Sequence, residues 1–155
     1  MGENIDDYTR FPGNLLRRCH QVAVALFLDE CSGFNLTPLQ FAVLAALEKD
    51  GPQDQVTLGG LTAIDRTTIT VVTRNLEEQG LIERKKLPRD KRYNIVSLTK
   101  SGREVVRDVS PAVVNAQKRI VEPLEEKEAV QLIMLLEKMM AANNKLSRAP
   151  VKPKS

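Results

Sequence analysis

The chain has 155 residues, of which 42% are apolar and 28% are charged. This length and composition fit one globular domain and exclude a disordered chain. With four Phe, two Tyr and no Trp, the core must consist mainly of aliphatic residues and Met, which favours helices over a β-sandwich. Because no apolar run reaches the roughly 18 residues of a membrane span and the N-terminus lacks a signal-peptide pattern, we expect a cytoplasmic protein.

The residues that could support catalysis or metal binding are few. Cys19 and Cys31 are too few for a disulfide framework, and a single histidine, His20, cannot complete a zinc-like cluster. The sequence also lacks a nucleophile elbow, a Gly-rich phosphate loop and a carboxylate pair at a telling spacing. We therefore expect no enzyme activity, no metal and no other cofactor.

Positive charge is concentrated in the central part of the chain. Residues 66–103 contain ten Lys and Arg against four Asp and Glu, whereas residues 1–65 contain four against nine. A local excess of this kind is typical of a surface that binds a phosphate backbone. A solvated charged face is the alternative that charge alone leaves open.

The first two predicted helices have clear sequence boundaries. Apolar residues recur every three or four positions over residues 14–30, which predicts an amphipathic helix. A second helix begins at Pro38, with Thr37 as its N-cap and Gln40 closing a capping box. Gly51 ends it.

A short helix, a tight turn and a longer helix follow in the layout of a helix-turn-helix. Residues 57–64 predict a two-turn helix capped by Thr57. Asp65 then caps a fourth helix over residues 66–79, which Gly80 ends. Together these elements predict a helix-turn-helix unit.

The fourth helix has an apolar face and an opposite, lightly basic face. If Ile69, Val72 and Leu76 face the core, short polar side chains and an arginine face outward. Thr hydroxyls and methyl groups and an Arg guanidinium suit the major groove of DNA. The candidate DNA contacts of this helix are Arg66, Thr67, Thr68, Thr70, Val71 and Arg74.

Two β-compatible runs, residues 81–86 and 94–98, flank a basic turn and predict a β-hairpin. The turn places Arg89, Lys91 and Arg92 around Asp90. An arginine at the tip of such a ribbon can enter a narrow minor groove, and Asp90 can orient it through a charge-assisted hydrogen bond. The four residues are therefore candidate DNA contacts.

The last two predicted helices extend beyond this unit. Thr99 begins a helix over residues 99–121, and we expect a bend near Ser110 because a proline such as Pro111 kinks or breaks a helix interior. Pro123 opens a final apolar-striped helix that reaches about residue 144, and residues 147–155 form a flexible tail. The first and last helices have more apolar surface than the small middle unit can cover, so we expect a second copy of the chain.

Residues 36–102 resemble the MarR family of winged helix-turn-helix regulators. The resemblance rests on NLEEQGLIER at the end of the fourth helix, RDKR in the turn and SLTKSG after it. It implies a mainly α fold with a small β-hairpin wing, and it implies that residues 1–155 form a single chain of this family type. The DNA-binding lobe, residues 36–102, is flanked by helical dimerisation segments, residues 12–34 and 103–146.

The resemblance also implies residue roles. Arg92 and Asp90 match the wing arginine and aspartate of the family, and Thr67, Thr68 and Thr70 match the contact positions of its recognition helix. Many members carry a basic residue at position 71 and an acid-base pair at positions 74 and 75. This chain has Val71, Arg74 and Asn75 instead. Arg74 is therefore the candidate partner of Asp90 or a DNA contact.

The function that the resemblance implies is a homodimeric transcriptional repressor on a pseudo-palindromic operator in double-stranded DNA. A small aromatic or anionic effector would release it, and Arg18, His20 and Phe41 are candidate effector contacts. Three alternatives stay open: redox sensing through Cys19 or Cys31, non-specific architectural DNA binding, and a winged helix used only for protein assembly.

Overall fold

The computed structural model describes the backbone of residues 5–87 and 90–150 and the side chains of residues 7–86 and 95–150. Within these ranges the elements are α1 (Pro12–Glu30), α2 (Pro38–Asp50), β1 (Gln53–Asp54), α3 (Gln55–Thr62), α4 (Arg66–Glu78), β2 (Ile82–Leu87), β3 (Asp90–Leu98), α5 (Lys100–Val121) and α6 (Glu126–Asn143). Three 3-10 helices lie at Ile5–Arg10, Ser32–Phe34 and Asn144–Leu146. In this part of the chain, no helix combines the length and apolarity needed to cross a membrane.

The core lies where α2, α3 and α4 meet the sheet and α5. Its fully buried side chains include Leu44, Leu58 and Val96. The predicted inner face of α4 is confirmed, because Ile69, Val72 and Leu76 are all buried. The opposite face of α4 is thereby directed away from the core.

The predicted hairpin is confirmed, and a third strand extends it. The strands are antiparallel in the order β1, β3, β2. β3 begins at Asp90, four residues before the predicted start, and pairs with β2 from Ile82 opposite Leu98 outward, with a register shift near Lys86. β1 was not predicted, because it is only two residues long and its extended conformation depends on pairing with β3.

Several predicted helix boundaries are confirmed by their capping geometry. The Thr37 Oγ1 accepts from Gln40 N–H at 3.2 Å, and the Gln40 Oε1 accepts from Thr37 N–H at 2.9 Å. Gly80 follows α4 with a φ of 71°, the left-handed region that glycine enters without strain. These local signals set the boundaries because each satisfies backbone groups that a helix end leaves unpaired.

Two helix starts differ from the prediction. α3 begins at Gln55 because Asp54, not Thr57, is its N-cap, and Asp54 Oδ1 accepts from the N–H groups of Val56 and Thr57 at 2.9 and 3.0 Å. α6 begins at Glu126 and not at Pro123, which lies in the preceding turn. In both places a carboxylate side chain defines the helix start.

Near Ser110, where a bend was predicted, α5 is not interrupted, since it is one helix of 22 residues that continues through Pro111. The proline removes one backbone donor, but Val106, Val109 and Val113 are buried on either side of it. Packing of this face against α1 and α2 holds the helix together across the proline. The Ser110 hydroxyl also donates to the Val106 carbonyl at 2.6 Å.

Gly102, in the first turn of α5, lies against the turn that joins α4 to β2. A Cβ at this position would be 2.0 Å from the Leu81 carbonyl oxygen. The N-cap Thr99 donates its hydroxyl to Gly80 O at 2.7 Å and accepts from Gly102 N–H at 3.0 Å. The TKSG segment therefore joins the end of the wing to the end of α4 through a close backbone contact.

The two terminal helices leave much apolar surface exposed in the single chain. α1 packs along α5, where Arg119 bonds Asp29 at 2.5 Å and Glu30 at 2.7 Å, but Phe27 is the only buried residue of α1. α6 has no buried residue. The exposed large apolar side chains of the two helices are Leu15, Leu16, Val22, Leu28, Val130, Leu132, Ile133, Met134, Leu135, Met139 and Met140.

Candidate nucleic-acid interface

The start of α4 is fixed by a carboxylate. Asp65 Oδ1 accepts from the N–H groups of Thr67 and Thr68 at 3.0 Å each. Hydrogen bonds from the backbone and hydroxyl of Thr68, together with the N–H of Thr67, hold the pKa of Asp65 below its usual value. The cap is ionised at neutral pH and also complements the helix dipole.

The outward face of α4 contains most of the residues predicted for it. Five are exposed: Arg66, Thr67, Thr70, Val71 and Arg74. Thr68 is half-buried, and its hydroxyl donates to Asp65 Oδ2 at 2.7 Å. In this structure Thr68 therefore serves the cap, while the other five form a continuous surface.

A glutamine that the sequence analysis missed lies against this surface. Gln55, the first residue of α3, donates from Nε2 to Thr70 Oγ1 at 2.7 Å. The Thr70 hydroxyl in turn donates to the Arg66 carbonyl at 2.8 Å. Gln55 was missed because the third helix was predicted to begin at Thr57, which assigned Gln55 to a loop; the Asp54 cap was the signal that could have placed it.

Arg74 is exposed and makes one weak contact. Its Nε lies 3.9 Å from Glu78 Oε1, one turn further along α4, and both side chains are more than half exposed. An exposed pair at this distance adds little to stability, so Arg74 is free to leave it. Its predicted partner, Asp90, has a side chain outside the described residues.

The wing is joined to α4 by a charged pair. Arg84 on β2 donates through Nε to Glu77 Oε2 at 2.8 Å, and its Nη2 donates to the same oxygen. The Arg84 guanidinium holds the pKa of the Glu77 carboxyl below its usual value. Beyond this pair, Lys85 and Lys86 are exposed on β2. Arg89 and the side chains of Asp90, Lys91 and Arg92 lie outside the described residues.

The arrangement is suited to binding. The described residues bring together no group of three His, Cys, Asp or Glu that could hold a metal ion. What they bring together is a helix face of hydroxyl, methyl and guanidinium groups beside a strand with two exposed lysines. Such a surface fits the edges of base pairs and the adjacent phosphates.

The predicted effector contacts do not form one site in the single chain. Arg18 and His20 are exposed on α1, whereas Phe41 is half-buried with its ring centroid 6.0 Å from that of Phe27. A recess of about 440 Å³ lies at the corner between α1 and α2, and none of the three lines it. Its lining residues are Leu28, Cys31, Ser32, Asn35, Leu36, Thr37, Gln40 and Gln79.

The two cysteines lie in different environments. Cys19, on α1, is exposed because that part of the helix has no partner in the single chain. Cys31 is buried, and burial together with the nearby Glu30 raises the pKa of its thiol. A raised pKa lowers the thiolate fraction and makes Cys31 less reactive.

Comparison with known proteins agrees with this geometry. The family model described as the MarR family matches residues 36–93. The HTH-type transcriptional repressor NicR of Pseudomonas putida is 33% identical over 86% of this chain and 85% of its own. A probable transcriptional regulator from Pseudomonas aeruginosa superposes with a TM-score of 0.82 at 36% identity, over 85% of this chain and 98% of its own. Bordetella bronchiseptica BpsR, whose DNA binding is described as regulated by 6-hydroxynicotinic acid, gives 0.81 at 33% identity over 85% and 94%.

Proposed function

Since this chain belongs to the MarR family, we propose that it is a dimeric transcriptional repressor that binds a pseudo-palindromic operator and is released by a small aromatic acid. The observation that carries the proposal is the exposed Thr, Val and Arg face of α4, which the Glu77–Arg84 pair joins to the basic strand β2. The relative NicR is named a transcriptional repressor, which favours repression as the outcome of binding.

On DNA, α4 would lie in the major groove with its outward face against the base edges. The methyl groups of Thr67 and Val71 can pack on thymine methyls, and Arg74 can donate to guanine or to a phosphate. The wing would follow the backbone toward the minor groove, where Arg92 is the candidate for insertion. The Glu77–Arg84 pair would keep the two contacts at a fixed spacing.

A second copy of the chain would cover the exposed apolar side chains of α1 and α6. A symmetric dimer places two recognition helices in successive major grooves, about 34–36 Å apart. This spacing predicts an operator of two inverted half-sites whose centres are one helical turn apart.

The effector would bind where it can change that spacing. A ligand releases DNA only if it prefers the conformation in which the two α4 helices are wrongly spaced. The description of BpsR makes 6-hydroxynicotinic acid the first compound to test. Arg18 and His20, both exposed on α1, are our candidates for its carboxylate, and Phe41 for its ring.

The DNA-binding part is tested by selection from a randomised duplex library with the full-length wild-type chain. We expect enrichment of an inverted repeat, and light scattering should give two chains per particle. Enrichment of no sequence, with binding that depends on salt alone, would support the architectural alternative.

The effector part is tested by thermal shift and fluorescence anisotropy with 6-hydroxynicotinic acid, other aromatic acids, their thioesters and phenols. An effector should raise the melting temperature and weaken binding to the enriched operator. The variants Arg18→Ala and His20→Ala should lose this response. The matched control is Arg17→Ala, on the same helix, whose guanidinium bonds Asn14 at 2.9 Å. Equal responses of all variants would contradict the assigned contacts.

A further inference from the structure

The hydrogen bonds of Thr70 leave its hydroxyl with little capacity to read DNA. It donates its proton to Arg66 O at 2.8 Å and accepts from Gln55 Nε2 at 2.7 Å. A hydroxyl has one donor and two acceptor lone pairs, so a single lone pair stays available. In the proposed complex, the methyl group of Thr70 is therefore better suited to contact a base than its hydroxyl is.

Gln55 has the free hydrogen-bond donor and acceptor that Thr70 lacks. A carboxamide has two N–H donors and one oxygen acceptor, and Gln55 uses only one N–H on Thr70. With the other described residues its Oε1 and its second N–H make no hydrogen bond. Gln55 is half-exposed, and the next residue, Val56, is 71% exposed, so this end of α3 is open to solvent beside α4.

The charge next to Gln55 argues against a phosphate as its partner. The Asp54 carboxylate occupies the N–H groups of Val56 and Thr57, so the N-terminus of α3 has few donors left for an anion. Hydrogen bonds from Thr57 and Val56 outweigh burial and keep the pKa of Asp54 below its usual value. A phosphate here would meet a negative charge, whereas a base edge would not.

We propose that Gln55, held in place by Thr70, reads a base edge in the major groove and gives each half-site a preference for adenine. A carboxamide that offers one acceptor and one donor matches the adenine N6 amino group and N7. Gln55 thus acts as a specificity-determining residue outside the recognition helix. The inference rests on the proposed DNA-binding function and adds to it a named base contact.

The test repeats the selection from randomised duplexes with wild type, Gln55→Ala, Gln55→Glu and the control Gln79→Ala. Gln79 is an exposed glutamine at the far end of α4. We expect Gln55→Ala to lose the adenine preference at one base pair of each half-site and to bind the wild-type operator about 10-fold more weakly. Gln55→Glu, which only accepts, should shift that position toward cytosine.

Three outcomes would overturn the inference. Unchanged preferences in both Gln55 variants would show that the residue does not contact a base. A uniform loss of affinity for all sequences, with a lowered melting temperature, would show that Gln55 only joins α3 to α4. If the wild-type chain itself enriches no sequence, the proposed function fails together with the inference. If the wild-type chain enriches an operator and the Gln55 variants keep its preferences, only the inference fails.

Discussion

The Nε of Arg84 lies 2.8 Å from Oε2 of Glu77, so an ion pair joins the last turn of α4 to the first strand of the wing. The side chains are 25% and 37% exposed, which reduces solvent screening compared with a fully exposed pair. The pair therefore helps to fix the position of the wing relative to the recognition helix, together with the close backbone contact at Gly102.

Loss of this pair should weaken DNA binding more than it weakens the fold. Glu77→Gln keeps the shape of the side chain and removes its charge, so we expect a loss of about 0.5–1 kcal/mol in the free energy of unfolding. Operator affinity should fall several-fold because the wing is less well oriented. Urea denaturation and fluorescence anisotropy measure the two effects. The control is Glu83→Gln, whose partner Lys85 lies on the same strand; identical behaviour of both variants would contradict the assigned role.

The same pair should make a pH-dependent contribution to stability. The pKa of Glu77 is lowered in the folded chain, so its contribution is complete above the pKa of an unfolded Glu, about 4.3. It is lost as the pH falls through the lower, folded pKa. We expect the stability difference between wild type and Glu77→Gln to be constant from pH 7 to about 5 and to shrink toward pH 3. A stability difference between the two proteins that grows as the pH falls would contradict a lowered pKa of Glu77.

The arginines of the interface should affect the salt dependence of binding. Arg92→Ala and Arg74→Ala should each weaken operator binding and reduce the slope of log K against log salt by about 1 if the residue contacts a phosphate. Arg107→Ala on α5, whose guanidinium pairs with the neighbouring Asp108, serves as control. Unchanged operator affinity of Arg92→Ala would show that the wing hypothesis is wrong.

Gly102 should tolerate no side chain. A methyl group there meets the Leu81 carbonyl, so the Gly102→Ala variant should lose about 2 kcal/mol or more of stability. A Cβ at Gly13, in the first turn of α1, meets nothing within 4 Å, so Gly13→Ala should be neutral or slightly stabilising. Thermal and urea unfolding give the comparison. Equal stability of the two variants would mean that the close contact is not maintained in solution.

Cys31 should be a poor redox sensor. In Cys19→Ser, where Cys31 is the single thiol, we expect reaction with a disulfide reagent at neutral pH to be about tenfold slower than in the urea-unfolded chain. Peroxide should leave operator binding of this variant unchanged. If peroxide abolishes binding by Cys19→Ser but not by Cys31→Ser, the redox alternative is favoured.

The features of the fold that were predicted correctly are those that depend on residues close together in the chain. The Thr37–Gln40 box, the Asp65 cap and the Gly80 stop depend on neighbours in the chain, so their positions could be read directly. At Pro111 the sequence alone could not decide between a kink and a break; packing on both sides of the proline, which is a tertiary effect, keeps α5 continuous.

The candidate site likewise has features that local spacing predicts and features that depend on tertiary contacts. The spacing of the buried residues of α4 indicated its outward face correctly. The Gln55–Thr70 hydrogen bond joins residues 15 positions apart, and β1 exists only as a partner of β3. The spacing of apolar residues within one element cannot predict such contacts, because they depend on how two elements pack against each other.

The lack of any buried residue in α6 has a consequence for how the regulator responds to its own abundance. A helix of 18 residues gains most of its stability from packing, so α6 needs another surface to cover its exposed apolar side chains. In the proposed dimer, stabilisation of this segment and association of the two chains are coupled, so the melting temperature should rise with protein concentration. At low copy number, dilution of the proposed dimer would lower operator occupancy in two ways: it would separate the subunits, and it would destabilise the terminal helices that are proposed to join them.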